Sequence, residues 1–266
     1  MTEQEQSSNG VQSVSRVFGL LELLAEARGD VTLGDLSVSS GLPQATTHRL
    51  LRTMVDLGYA RQLPSRRYAL GARLIRLGEQ AQTQLGAVAQ LELTALAGLL
   101  GETANLAALD RDAAVYVAQA LSSHAMRMFN EVGRRVDLHD TGVGKAILAS
   151  LPSATVRAIV RRTGMPTPTP MSHARIESLM DDLQQIRDRG YAIDEQEQEL
   201  GVRCYAVLVP ATPAPMAVSV SGPLARVDIE FGQRAVPALI EAADRISEAL
   251  RSGSLNGAAG GRGSAP

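Results

Sequence analysis

Apolar positions recur at helical spacing between residues 11 and 27, with Val14, Val17, Phe18, Leu20, Leu21 and Leu24 on one side. A helix with one buried face is predicted. Thr32 then precedes Leu33, Leu36 and Val38, and Asp35 stands three residues after it, an acidic variant of the capping box. A short second helix follows. Gly41-Leu42-Pro43 interrupts the pattern; Pro43 suits the first turn of a third helix reaching about Leu57, where Gly58 supplies a left-handed cap. On that helix Thr47, Leu50, Leu51, Met54 and Leu57 share an inward face. The outer face and the helix start are left with Gln44, Ala45, Thr46, His48, Arg49, Arg52 and Asp56. Residues 59–63 and 67–70 alternate about Pro64-Ser65-Arg66, which predicts a two-stranded wing with Arg66 and Arg67 at its tip.

From residue 72 to 101 the pattern is almost continuously helical, and it predicts a linker helix over 72–87 followed by the first helix of a new domain. Residues 102–109 and 113–120 form a hairpin about Asp110-Arg111-Asp112. Further strands are predicted at 126–129, 191–193, 203–209 and 216–221, and helices at 142–150, 153–162, 176–189 and 229–251. Strands and helices mixed in this way define an α+β domain. The expected organisation is a polar tail over 1–10, a winged helix-turn-helix domain over 11–71, the linker helix, an α+β domain over 88–251 and a glycine- and serine-rich tail over 252–266.

A chain of 266 residues fits one or two domains, and 45% hydrophobic with 20% charged residues is ordinary globular composition. Aromatic residues make up only 3%, which argues against a surface built for stacking bases or sugars. Residues 1–10 lack the apolar core of a signal peptide, and the uncharged run 204–225 is broken by four prolines, so neither export nor a membrane span is expected. The single cysteine, Cys204, makes neither an internal disulfide nor a multi-cysteine metal cluster and suits the cytoplasm. No cofactor, no metal and no membrane partner is expected.

Charge changes the picture locally. The whole chain carries −2, yet between residues 42 and 77 seven arginines face the single acid Asp56, a local +6. Such a patch is the footprint of a phosphate-backbone binder. A basic helix followed by a wing is the build of a winged helix-turn-helix, so double-stranded DNA is the expected partner.

The stretch Gly41-Leu42-Pro43-Gln44-Ala45-Thr46-Thr47-His48-Arg49-Leu50-Leu51, with Tyr68-Ala69-Leu70-Gly71 closing the wing, resembles the isocitrate lyase regulator (IclR) family of bacterial transcription factors. The resemblance continues through Gly133–His139 and Thr141-Gly142-Val143-Gly144-Lys145-Ala146, then Gly190–Asp194 with Glu197, Gly201–Cys204, and Ser219-Val220-Ser221-Gly222-Pro223. It implies a GAF-like α+β effector-binding domain and a ligand-controlled repressor. By the same resemblance Gly142 and Val143 form the floor of the pocket, Asp194, Cys204, Ser219 and Ser221 supply hydrogen bonds, and Met126, Met128, Val136 and Val202 form an apolar wall. Cys204 and Ser221 stand two residues closer than in the family pattern, which implies a shortened hairpin at residues 212–214. Gly101–Ala107 and Ala125–Met128 resemble the branch of allantoin- and glyoxylate-responsive repressors, so the implied effector is a small carboxylate or ureide such as glyoxylate, allantoin or allantoate. A homodimer on a two-fold operator is expected, and pairing of dimers through the sensing domains is implied.

Two other classes stay open. One is a small-amide hydrolase with Cys204 as nucleophile, His139 as base and Asp194 as its orienting group. The other is a ligand-independent DNA-binding protein. No catalytic residue is assigned: the chain has no nucleophile elbow, and Gly142-Val143-Gly144-Lys145 lacks the spacing and hydroxyl of a phosphate loop. His139 reads as a structural histidine, and Glu195, Glu197 and Glu199 as a solvated acidic loop.

Overall fold

The computed structural model describes residues 11–27, 29–128 and 131–252, and within 82–88 the backbone alone. Apart from Ser252, the two segments expected to be tails lie outside those residues. The chain divides into two compact units, one ending at Ala81 and one beginning at Gln82.

In the first unit α1 (Gln12–Glu26), α2 (Leu33–Ser40) and α3 (Gln44–Asp56) pack Leu20, Leu24, Leu36, Leu51 and Met54 together. The antiparallel pair β1 (Ala60–Gln62) and β2 (Tyr68–Leu70) closes this core with Ala60 and Tyr68. Each end has a local cause. Thr32 Oγ1 accepts from the Asp35 amide at 3.1 Å and donates to the Asp35 carboxylate at 2.7 Å, which satisfies an otherwise orphan N–H and starts α2. At the end of α3 the Tyr59 amide donates to the Met54 carbonyl and the Gly58 amide to the Val55 carbonyl, both at 2.9 Å. This is a Schellman stop, and it requires the left-handed φ of 78° that Gly58 adopts. Leu57, expected inward, is 50% exposed because it is the C-cap, where the chain turns off the buried face. The sequence pattern also misses a bridge: Val31 and Tyr68 exchange two 2.8 Å backbone bonds, which tie the wing to the segment before α2.

α4 (Arg73–Leu100) is one continuous helix, without the expected break between a linker and a domain's first helix, and the two units divide within it. Beyond it lie β3 (Thr103–Asp110), β4 (Ala113–Ala120), β5 (Arg135–Val136), β6 (Ala192–Glu195), β7 (Val202–Val209) and β8 (Met216–Pro223). They form one antiparallel 6-stranded sheet in the order β5-β4-β3-β8-β7-β6. One face carries Leu106, Tyr205, Val207, Val218 and Val220 against Leu93 and Leu96 of α4 and Phe231, Leu239 and Ile246 of α8 (Ile229–Arg251). Each large apolar side chain buried there contributes about 1.5–3 kcal/mol. The other face carries Ala107, Ala206 and Ala217, small enough for α5 (Gly142–Ala149) to approach closely, with α6 (Ser153–Thr163) and α7 (Ile176–Arg189) behind it.

Residues 126–128 are irregular where a strand was expected, and Phe129 lies outside the described residues. The reason lies in their backbone partners. Thr103 Oγ1 donates to the Met128 carbonyl at 2.9 Å and Arg226 to the Met126 carbonyl at 2.9 Å, so side chains replace a neighbouring strand. Among the described residues no helix is long and apolar enough to cross a membrane.

Candidate nucleic-acid and ligand sites

Burial of Thr47, Leu51 and Met54 turns the opposite side of α3 outward. Gln44, Ala45, His48, Arg49 and Arg52 are exposed there and Thr46 is half-buried. Arg66 occupies the wing turn with a left-handed φ of 62°, its amide donating to the Leu63 carbonyl at 2.9 Å and its side chain exposed. Arg67 is placed differently: it donates to the Asp30 carbonyl at 2.8 Å and pairs with the Asp30 carboxylate at 3.2 Å. It braces the wing and has part of its charge neutralised. Arg73 likewise donates to the Leu57 carbonyl at 3.1 Å and lies over the Tyr59 ring at 5.5 Å. The local charge therefore separates into arginines that hold the unit together and arginines that face solvent.

In the second unit the strand register builds a polar face. Asp194 stands opposite Cys204, Cys204 opposite Ser221, and Ser221 opposite Thr103. Two residues along each strand, a second row runs Ala206, Ser219, Asn105 and Gln119. The two-residue period places both rows on one side of the sheet. Ser221 lies directly across from Cys204. α5 begins against these rows. A Cβ at Gly142 would come within 2.9 Å of Cys204 Sγ and 3.5 Å of Ala206 Cβ, and one at Gly144 within 2.5 Å of the Leu138 carbonyl. Thr141 caps this helix by accepting from the Gly144 amide at 3.1 Å, and it donates to the Asp137 carbonyl at 2.7 Å. Helix geometry leaves the Gly142 and Val143 amides without an intrahelical acceptor, at the positive end of the dipole.

Two donors on the polar face, Ser221 Oγ and Asn105 Nδ2, are buried and have no hydrogen-bond partner among the described residues. A buried polar group left unpaired costs about 1–3 kcal/mol. These atoms call for acceptor oxygens from a bound molecule or from solvent.

Burial pushes the Asp194 carboxyl up to about 7, against the Glu197 amide that hydrogen-bonds its Oδ1 at 2.8 Å and pulls it down. Near neutral pH it therefore moves between a protonated donor and an ionised acceptor. Burial pushes the Cys204 thiol up to about 12, which keeps it protonated and leaves it a poor nucleophile. Burial and the neighbouring Asp137 charge raise Asp140 to about 7. Lys145 on α5, 1% exposed, donates to Asp182 of α7 at 2.7 Å and to Glu197 in a shorter bond. Burial works to raise Asp182, but hydrogen bonds from His173 and Lys145 hold it at about 2.

The residues singled out in the sequence separate accordingly. Gly142, Val143, Asp194, Cys204, Ser219 and Ser221 come together at the start of α5 and on the polar rows. Val136 is buried, Val202 and Met128 are half-buried, and Met126 is 74% exposed in its irregular segment, so it is not enclosed as a wall residue. Glu197, expected in a solvated loop, is buried against Lys145. His139 is buried, with Nε2 2.7 Å from the Pro166 carbonyl. Asn105, Gln119 and Lys145 were not assigned a role from sequence. Thr103 and Asn105 at alternate positions beside Ala104 and Leu106 carried the signal for the first, and a lone lysine inside an otherwise apolar helix the signal for the last.

An exposed, arginine-bearing helix with a wing, in a chain that also holds a buried polar face under a helix N-terminus, defines a ligand-sensing DNA-binding regulator. The chain belongs to the IclR family of bacterial transcriptional regulators: residues 13–64 match the IclR helix-turn-helix domain and residues 80–248 the bacterial transcriptional regulator IclR C-terminal domain. It is 37% identical over 245 residues to the transcriptional repressor IclR of Escherichia coli (strain K12), spanning 87% of this chain and 88% of that one. It is 30% identical over 226 residues to the transcriptional repressor AllR of the same strain, with 83% of each chain covered. The crystal structure of an IclR transcriptional regulator from Alicyclobacillus acidocaldarius matches with a TM-score of 0.80 at 30% identity, covering 91% of this chain and 99% of that one.

Proposed function

We propose that this regulator is a repressor that leaves its operator when a small carboxylate or ureide occupies the polar face at the start of α5. The carrying observation is the pair of buried, unpartnered donors, Ser221 Oγ and Asn105 Nδ2, on the same sheet face that α5 caps with its N-terminus. The Gly142 and Val143 amides take the carboxylate. Ser219, Ser221 and the Cys204 thiol orient it, and Asp194 donates when protonated or accepts from a ligand N–H or O–H when ionised. Glyoxylate, allantoin and allantoate are the candidate effectors, after the resemblance to the allantoin branch. Arg49 and Arg52 enter the major groove and Arg66 reaches a flanking phosphate. A homodimer presents two such helices to a two-fold operator in the cytoplasm, with dimers pairing through the sensing domains.

The test uses an operator selected from a random duplex library. Glyoxylate, allantoin and allantoate are titrated into wild type and into a Ser219→Ala, Ser221→Ala double variant, with heat of binding and DNA release measured together. Wild type is expected to bind at least one of them and release DNA; a tenfold release corresponds to about 1.4 kcal/mol of coupling. A double variant that binds and responds like wild type places the pocket elsewhere.

A further inference from the structure

We propose that Asn105 is a specificity-determining residue of this pocket, selecting carboxylates that carry a second acceptor group over two-carbon acids. The inference rests on the ligand-pocket reading above. Asn105 is 1% exposed, and its amide is held in place: Oδ1 accepts from Gln119 Nε2 at 2.8 Å, while Nδ2 has no partner among the described residues. It stands opposite Ser219 on the same side of the sheet as Ser221, the other unpartnered donor. The carboxylate-binding amides lie elsewhere on that side, because Gly142 packs against Cys204 and Ala206 of β7.

β8 separates β7 from β3. At about 4.8 Å per strand spacing, Asn105 sits about 10 Å across the sheet from the strand under the α5 N-terminus. A hydrogen bond of about 2.9 Å at each end takes up more than half of that span, and the roughly 4 Å left between the two acceptor oxygens is slightly more than a two-carbon acid, with one carbon–carbon bond of about 1.5 Å, covers. A ligand that satisfies both ends has a carboxylate at one and a carbonyl, hydroxyl or second carboxylate oxygen at the other. The Asn105 amide rewards that far oxygen, and a ligand without it leaves the donor buried and unpaired.

The test is the ratio of affinities for long and short acids, read by calorimetry on the full chain with glyoxylate, malate, succinate and allantoate. Wild type is expected to bind at least one of the three longer acids ten times more tightly than glyoxylate. Asn105→Leu, which removes the donor while keeping the same number and branching of side-chain heavy atoms, is expected to lower that ratio at least tenfold. Asn105→Asp keeps the shape and the Gln119 bond but replaces the donor, and it serves the same purpose if the leucine variant does not fold. A wild-type preference for glyoxylate overturns the proposal, as does an unchanged ratio in the folded variant. If wild type binds neither these four acids nor allantoin, the pocket reading falls and this proposal with it; if it binds allantoin alone, the pocket reading stands and this proposal falls.

Discussion

Gly142 and Cys204 are in contact at a distance that only glycine permits: a Cβ on Gly142 would lie 2.9 Å from the Cys204 sulfur. The start of α5 and the middle of β7 are thereby locked together. Gly142→Ala is expected to destabilise the second unit by about 1–3 kcal/mol, the usual cost of overpacking. Adding Cys204→Ala removes the sulfur and recovers most of that loss. Urea melts of the two single variants and the double variant measure the coupling; additive losses would show that the contact is not what keeps position 142 a glycine.

Lys145 is a buried cation shared by Asp182 and Glu197. Lys145→Met is expected to cost about 3–5 kcal/mol, because it takes the cation away from the buried Glu197 and from the half-buried Asp182, which is left with His173 and Arg189. Adding Asp182→Asn and Glu197→Gln to the same chain should return part of it. Denaturant midpoints at constant m-value provide the check.

The buried carboxyls give pH dependence of opposite sign. Asp194 and Asp140 are raised to about 7, so between the unfolded carboxylate range near 4 and about 7 the folded chain holds more protons than the unfolded one. Their contribution is fully present below pH 4 and is lost as pH rises to 7. Asp182, held at about 2, behaves in reverse: its contribution is present above pH 4 and lost as pH falls toward 2. Asp194→Asn is therefore expected to gain stability relative to wild type between pH 5 and pH 8, read as a growing difference in melting temperature. A constant difference across that range would contradict the burial-driven shift.

The two exposed arginines should separate in DNA binding. Arg49→Ala is expected to cost about 1–3 kcal/mol on the preferred operator and to relax preference at one base pair. Arg66→Ala weakens all duplexes alike and lowers the salt slope by about one. Equal, sequence-independent losses from both would reduce Arg49 to a phosphate contact.

Much of this architecture was legible. α7 and α8 fall where the apolar period places them, and the Thr32 and Gly58 caps are local chemistry that sequence alone specifies. The errors have tertiary causes. Residues 126–128 have strand-like alternation, but side chains of Thr103 and Arg226, distant in sequence, take their carbonyls. Arg67 looked like a second wing-tip contact until folding brought Asp30 to it. Glu197 looked solvated because its partner, Lys145, lies far up the chain. Of the ligand site, the family motifs named the residues around Cys204. The alternation around Asn105 marks a polar strand face, but that Ser219 stands across from it follows only from the register that sets β3 beside β8.

That register also sets the timing of assembly. β3 is bonded on one side to its hairpin partner β4 and on the other to β8, whose residues leave the ribosome more than a hundred positions later. The first unit closes its core with residues no further along than Tyr68. Non-local pairing is slow and domains tend to fold in order of synthesis. The helix-turn-helix unit can therefore close on the ribosome well before the sheet of the second unit has all its strands, so the order of synthesis puts the part matched to DNA binding ahead of the part matched to sensing.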